Sequence, residues 1–281
     1  MTQVIAPDIQ ALEGRVSHEI SPGERMPTDD RDVYLAVGRS ALHAIRLAQQ
    51  LGAAPDFTSI LDMPCGHGRV TRWLRAAYPV ARITACDLLQ DGVDFCARTF
   101  DAQRVYSTLR PDASLFTDRY DLIFVGSLLT HVDADRWDHF IDLWWTLLQP
   151  GGLLVVTTHG DLVAERMRSG DLYGYPPLSV ARLLRTYEHS RFGFLEESPT
   201  SIDYGITISK PDWVLRRLLR HDARVVLFSA ALWDRHQDVA AVTSLDSSLT
   251  WCTAPRSTSG SLCTASVTSC PCAASVRAIS A

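Results

Sequence analysis

The sequence predicts an α/β fold: a doubly wound sheet of seven strands, mostly parallel with an antiparallel last strand, and helices on both faces. Three observations predict it. Short, near-continuously apolar runs alternate with amphipathic stretches, which implies a parallel sheet covered on both sides. A glycine-rich turn, Cys65-Gly66-His67-Gly68, follows the first run directly. The last two runs lie too close together for a parallel crossover, so that pair is expected to be antiparallel.

The elements follow in order. Residues 1–30 are polar, contain Ser21-Pro22-Gly23 and Pro27, and read as a flexible lead-in to a domain over 31–243. Apolar residues Val33, Leu35, Ala41, Leu42, Ile45 and Ala48 recur at helical spacing, and Gly52 closes that helix. Ser59-Ile60-Leu61-Asp62 is the first strand, and Arg69 to Ala77 a helix. Ala81 to Asp87 is a second strand, ending in an acid, with a helix over Asp91 to Phe100. Arg104 to Ser107 is a short strand, and Tyr120 to Gly126 a clear one. The helix from Ala134 to Leu148 carries Trp137, Phe140, Ile141 and Trp144. Pro150-Gly151-Gly152 ends it, and Leu153 to Thr158 is the fifth strand. Residues 161–200 contain Gly170, Gly174, Pro176, Pro177 and Pro199 and read as an irregular insertion or lid. A helix over Trp213 to Arg220 precedes the strands Arg224 to Ala230 and Asp238 to Val242. From 244 to 281 the chain is rich in Ser, Thr, Ala and Cys, and reads as a disordered tail or a frameshifted frame.

Bulk composition excludes some functions. The formal net charge is −5, and Lys210 is the only lysine among scattered arginines, so a nucleic-acid partner is not expected. No apolar stretch approaches the roughly 20 residues needed to cross a bilayer. No basic start precedes an apolar run, so a cytoplasmic location is expected. Of seven cysteines, Cys65, Cys86 and Cys96 fall in the expected core as buried thiols. Cys252, Cys263, Cys270 and Cys272 fall in the tail, without metal-ligand spacing, and no metal is expected.

The chemistry gathers at the carboxyl ends of the strands, where doubly wound sheets bind ligands. Asp62-Met63-Pro64-Cys65-Gly66-His67-Gly68 lies between a strand and a helix. Glycine there lets backbone approach a ligand and tolerates positive φ. Asp87, about twenty residues on, stands where an acid accepts hydrogen bonds from ribose hydroxyls. A dinucleotide fingerprint would place a third glycine where Thr71 stands. An acid at Asp62 would also repel a pyrophosphate. A ligand with a cationic amino-acid end suits the turn better.

These residues resemble motif I of the class I S-adenosylmethionine-dependent methyltransferases, whose domain has a Rossmann-like sheet. The stretch from Tyr120 through Gly126 to His131 is similar to that family's fourth strand and following loop. Leu148-Gln149-Pro150-Gly151-Gly152-Leu153-Leu154 is similar to its turn into the fifth strand. Pro64 departs from the fuller glycine motif and lacks an amide donor. The resemblance implies S-adenosylmethionine as cofactor and methyl transfer to O or N of a small molecule such as a sugar, a glycan precursor or a secondary metabolite. It implies cofactor contacts from Asp62, Met63, Pro64, Cys65, Gly66, Gly68, Asp87, Leu88, Gly126, Ser127 and Leu128. For the adenine, Asp101 and Ser107 stay open as alternatives.

His131 is the leading catalytic candidate, since a neutral imidazole can take a proton from an attacking hydroxyl or amine. The alternative is a histidine that caps the helix starting near Asp133, or that only shapes the pocket. His159, at the end of the fifth strand, is a second candidate. His67 is expected to shield the turn, and Trp144 and Trp145 to pack. Trp233 and His236-Gln237-Asp238 either border the acceptor pocket or form a plain turn. Two rival functions stay open: a non-catalytic S-adenosylmethionine-binding module, and an oxidoreductase with a nucleotide cofactor, against which the missing glycine counts.

Overall fold

A computed structural model describes residues 9, 11–26, 29–197 and 204–245 of the chain. The expected tail lies outside the described residues apart from Ser244 and Leu245.

Helix α1 (Arg31–Gly52) starts where the Asp30 carboxylate accepts the amides of Asp32 and Val33 at 2.9 and 3.1 Å. It ends where Ala53 takes a left-handed φ of 51°. Its face of Leu35, Leu42, Ile45 and Ala48 is buried. Gly38 allows a close approach in the middle of this helix, because a Cβ there would stand 2.1 Å from the Arg69 carbonyl oxygen.

The remaining elements of the central sheet are β1 (Ser59–Asp62), α2 (Thr71–Ala77), β2 (Arg82–Asp87), α3 (Gln90–Phe100), β3 (Gln103–Tyr106), β4 (Tyr120–Val125), α4 (Ala134–Leu147) and β5 (Leu148–Thr158). After the insertion come α7 (Pro211–Leu218), β8 (Ala223–Trp233) and β9 (Gln237–Ser244). The sheet order is β3-β2-β1-β4-β5-β9-β8. The pairings among β1 to β5 are parallel, and β9 runs antiparallel to both neighbours. The doubly wound sheet with an antiparallel last strand is therefore the observed fold.

Alternate side chains explain the near-continuous apolar runs. Ile60, Leu122, Leu153 and Val155 join the core under α1, α2 and α3. Their neighbours Leu61, Ile123, Leu154 and Val156 join the core under α4 and α7. A sheet buried on both faces needs apolar residues at every position.

Three stretches differ from expectation. Pro150-Gly151-Gly152 does not separate helix from strand. It forms an irregularity within β5, where Tyr120 pairs with Leu148 but Leu122 pairs with Leu153, and Gly151 takes φ 75°. The stretch 161–200 is not irregular. It holds α5 (Asp161–Arg168), α6 (Pro177–Ser190) and β6 (Phe192–Glu196), the last paired antiparallel with β7 (Gly205–Ser209). The prolines mislead because Pro177 occupies the first helical position, where a missing amide costs nothing. Val163, Met167, Val180, Leu183, Tyr187, Ile206 and Ile208 give this insertion its own core. Residues 11–26, read from composition as a flexible lead-in, bury Leu12 and Val16. Arg72 ties them down, donating to the carbonyls of Ser17 and Glu19 at 3.0 and 2.8 Å. Among the described residues no helix is long and apolar enough to cross a membrane.

Candidate active site

Asp62 ends β1 and is buried, with 1% of its surface exposed. Its Oδ2 accepts the Thr71 hydroxyl at 2.6 Å. Its Oδ1 is buried without a hydrogen-bond partner among the described residues. Burial pushes this carboxyl up to about 7 against the Thr71 bond, and the Asp87 charge adds to the rise.

The turn after Asp62 is sewn to both neighbouring strands. Met63 N donates to Phe124 O and Cys65 N to Cys86 O, each at 3.0 Å. Gly66 takes φ 51°, and the place a Cβ would occupy is open space. Gly68 takes φ 80°, and a Cβ there would meet Phe100 at 2.2 Å. Asp87 ends β2 and reaches back: its Oδ2 accepts Gly66 N at 2.7 Å, and its Oδ1 accepts Leu89 N at 2.9 Å. Burial raises the Asp87 carboxyl, and the amide bonds oppose the rise. Leu88 beside it is half exposed. Two carboxylates thus flank one open glycine bend.

Beyond β4, Gly126 lies against Phe124 and Trp233. Ser127 takes a left-handed φ of 63°. Its amide donates to Thr157 Oγ1 at 2.8 Å, Thr157 Oγ1 donates to Gln237 Oε1 at 2.6 Å, and Gln237 Nε2 donates to Ser127 Oγ at 2.7 Å. This closed ring fixes the loop that leads through Leu128 to His131.

His131 Nδ1 lies 2.8 Å from Gly205 O. A carbonyl only accepts, so Nδ1 carries the hydrogen and Nε2 keeps its lone pair. The ring stacks on Tyr204 at 4.7 Å and 12°. Burial lowers the His131 pKa from its ordinary value, against the Gly205 bond and the Glu197 charge. The cap of α4 is Asp133, whose Oδ1 accepts Arg136 N at 2.8 Å, so His131 does not serve as the cap. His159 sits with its ring 6.4 Å from His131 and 5.2 Å from His236. Burial, helped by His236 and His131, lowers it to about 3.

Residues 60–152 match the family model described as a methyltransferase domain. That stretch, from β1 into β5, is similar to a methyltransferase domain. Solved structures share the fold. The S-adenosylmethionine-dependent methyltransferase from Clostridium acetobutylicum ATCC 824 has a TM-score of 0.52 at 12% identity, over 74% of this chain and 92% of that one. The PH0226 protein from Pyrococcus horikoshii OT3 has a TM-score of 0.53 at 12% identity, over 80% of this chain and 100% of that one. An O-methyltransferase family protein from Burkholderia thailandensis has a TM-score of 0.50 at 15% identity, over 85% and 69%. No curated protein matches the chain.

The fold gathers Asp62, Met63, Cys65, Gly66, Gly68 and Asp87 around one turn. Gly126, Ser127 and Leu128 follow the adjacent strand. Of the two candidates near β3, Ser107 lies level with Asp87 and donates to its carbonyl at 2.8 Å. Asp101 sits at the opposite, amino end of β3, as the left-handed cap of α3. His67 is buried, with Nε2 3.1 Å from Asp91 Oδ2. Trp144 packs on Phe140 as expected. Trp233 donates from Nε1 to Val37 O at 2.9 Å, and His236 stacks on Tyr173. Thr157, Tyr204 and Gly205 escaped sequence reasoning. Gly92 did too: a Cβ there would stand 2.4 Å from Gly66 O, so α3 presses on the turn through a glycine.

Proposed function

We propose that the methyltransferase domain binds S-adenosylmethionine and moves its methyl group to an oxygen or nitrogen of a small-molecule acceptor. The observation that carries this reading is the buried Asp62 Oδ1 without a donor among the described residues, close enough to Asp87 to feel its charge. A buried carboxylate oxygen left unpaired is costly unless a ligand supplies the donor. An ammonium fits that need, and a pyrophosphate does not. The open space at Gly66 leaves room for ligand against backbone.

On this reading Asp62 holds the ammonium, and the backbone of Met63 to Gly68 lines the methionine part. Asp87 holds the ribose hydroxyls, while Leu88 and Ser107 border the base. Gly126, Ser127 and Leu128 close the other side. When bound, S-adenosylmethionine supplies a methyl group made electrophilic by its sulfonium. The protein's own work is to orient the acceptor, exclude water and take a proton. His131 Nε2 accepts that proton, because Gly205 pins the other nitrogen as a donor. His159 has too low a basicity at neutral pH for the same task. It lines the acceptor side as a neutral ring with Tyr173, Tyr204 and His236. The buried free thiols Cys65, Cys86 and Cys96 suit a reducing, cytoplasmic compartment.

The test is calorimetry of the full chain with S-adenosylmethionine, followed by a metabolite-extract screen with methyl-labelled cofactor. Saturable binding and label transfer into a small molecule are expected. Binding without transfer to any acceptor would favour the regulatory-module alternative, and binding of NAD in place of S-adenosylmethionine would overturn the reading.

A further inference from the structure

Among the described residues, five rings from five separate segments meet beyond the carboxyl ends of β4 and β5. His131 follows β4, and His159 follows β5 directly. Tyr173 lies between α5 and α6, Tyr204 precedes β7, and His236 sits in the turn between β8 and β9. Tyr204 stacks on His131, and Tyr173 stacks on His236 at 5.9 Å and 29°. His159 joins the two pairs, its ring 6.4 Å from His131, 6.2 Å from Tyr173 and 5.2 Å from His236. Tyr204 is exposed and His131, Tyr173 and His236 are half-buried, so the cluster is open to solvent. His159 is only 5% exposed. Gln237, next to His236, donates to Ser127 Oγ at 2.7 Å and so ties the cluster to the loop after β4.

His159 Nδ1 is buried without a hydrogen-bond partner among the described residues. A neutral imidazole nitrogen accepts or donates according to its tautomer, and a hydroxyl group serves either. Formal charge stays outside the cluster. Glu197, Arg166, Asp171 and Asp234, the charged groups that act on His131, Tyr173 and His236, are all exposed. Burial lowers the pKa of all three histidines, which leaves them neutral at pH 7. A charged acceptor group among these rings would lose its hydration without gaining a counter-ion. Flat ring faces suit an aromatic guest, by stacking or edge contact. A base whose pKa lies below 6.5 also suits an acidic hydroxyl: a phenol, near ~10, is closer to its reach than a hydroxyl as weakly acidic as water, near ~15.7.

We propose that the acceptor is an aromatic ring carrying two hydroxyls, one methylated beside His131 and the other hydrogen-bonded to His159 Nδ1, an assignment that rests on the proposed methyl transfer. The first hydroxyl oxygen bonds to the methyl carbon as the carbon–sulfur bond breaks. The electron pair of that bond passes to sulfur, and the hydroxyl proton goes to His131 Nε2. The second hydroxyl is unchanged and supplies the partner that His159 lacks, so His159 determines specificity.

Transfer of labelled methyl from S-adenosylmethionine to phenol, catechol, resorcinol and cyclohexane-1,2-diol tests the assignment in the full chain as wild type, His159→Phe and His159→Asn. In wild type the better benzenediol should exceed phenol in kcat/KM by about 10- to 100-fold, the effect of leaving one buried polar group unpaired. Cyclohexane-1,2-diol should stay unlabelled. His159→Phe removes the polar atom and should bring the diol-to-phenol ratio to about 1. His159→Asn keeps a polar group near the place of Nδ1 and should restore part of the ratio. Calorimetric binding of S-adenosylmethionine shows that each variant is folded. A purely structural His159 would lower turnover of both acceptors equally or leave the ratio untouched, and either result overturns the assignment. Label on cyclohexane-1,2-diol in preference to the benzenediols overturns the aromatic class and leaves methyl transfer standing. If S-adenosylmethionine binds and no acceptor takes the label, in this panel or in a metabolite extract, the methyl-transfer reading falls as well.

Discussion

His131 Nδ1 lies 2.8 Å from Gly205 O, and Gly205 belongs to the inserted hairpin rather than to the central sheet. The same residues bond again through Gly205 N and His131 O at 3.0 Å, and Thr207 N donates to Thr130 O at 2.8 Å. The insertion thus acts as a third strand-like edge that holds the candidate base in one tautomer. The central sheet positions the glycine bend, and the insertion positions His131, the proposed base.

From this arrangement His131→Ala should lower kcat by about 10²- to 10⁴-fold. The dissociation constant for S-adenosylmethionine should stay within about 2-fold, because His131 lies outside the glycine turn. The pH profile follows from sign. A base works unprotonated, and burial lowers the His131 pKa below its ordinary 6.5. The wild-type rate should therefore be flat above about pH 7 and fall only below 6.5. A rate that keeps rising with pH up to 9 would point to ionisation of the acceptor itself.

Asp62→Asn should separate stability from binding. The Asp62 carboxyl is raised from 3.8 to about 7 in the folded chain. The stability linked to its proton is full below 3.8 and is lost as pH rises through about 7. Asparagine keeps an acceptor for the Thr71 hydroxyl and does not ionise. The ligand-free variant should therefore gain in Tm over wild type by a few degrees at pH 8 and by little at pH 4. Its affinity for S-adenosylmethionine should drop at least about 10-fold, since an amide NH₂ would face the ammonium. Melting curves at the two pH values, with and without ligand, check both halves.

Thr157→Val tests the ring that holds the loop after β4. The change preserves shape but removes the acceptor for Ser127 N and the donor for Gln237 Oε1. A buried group left unpaired costs about 1–3 kcal/mol, so the unfolding free energy from denaturant melts should fall by that amount.

What could be read from the sequence depended on how local each signal is. Ile60 and Leu61 point to opposite faces, so a strand buried on both sides announces itself in four residues. Asp62, Gly66, Gly68 and Asp87 fall within one strand-turn-helix-strand unit, where spacing alone implies juxtaposition. The ring of Ser127, Thr157 and Gln237 spans 110 residues between its ends, and each member is an unremarkable polar residue in isolation. Tyr204 and Gly205 meet His131 only because β7 folds against the loop after β4. Pro176-Pro177 carries a breaker's composition, and its position at a helix start is decided by the packing of Val180, Leu183 and Tyr187 behind it.

Gly92 and Gly66 offer the sharpest test of the turn's construction, because a methyl group meets opposite circumstances at each. At Gly92 the backbone is helical, where alanine is preferred by about 1 kcal/mol. Yet the new Cβ would stand 2.4 Å from Gly66 O and 2.9 Å from Gly66 C, both backbone atoms. At Gly66 the Cβ would enter open space, but φ is 51°, a left-handed conformation costing about 1–2 kcal/mol. Gly92→Ala should push the turn out of place. Its cost should be about 1–3 kcal/mol in stability, and cofactor affinity should fall by about 10-fold or more. Gly66→Ala should cost less stability while intruding where the ligand approaches the backbone. In the ligand-free chain Gly92→Ala should therefore melt below Gly66→Ala, with both variants impaired in calorimetry. The reverse melting order would mean that α3 yields easily, and that the contact between Gly92 and Gly66 does not set the shape of the turn.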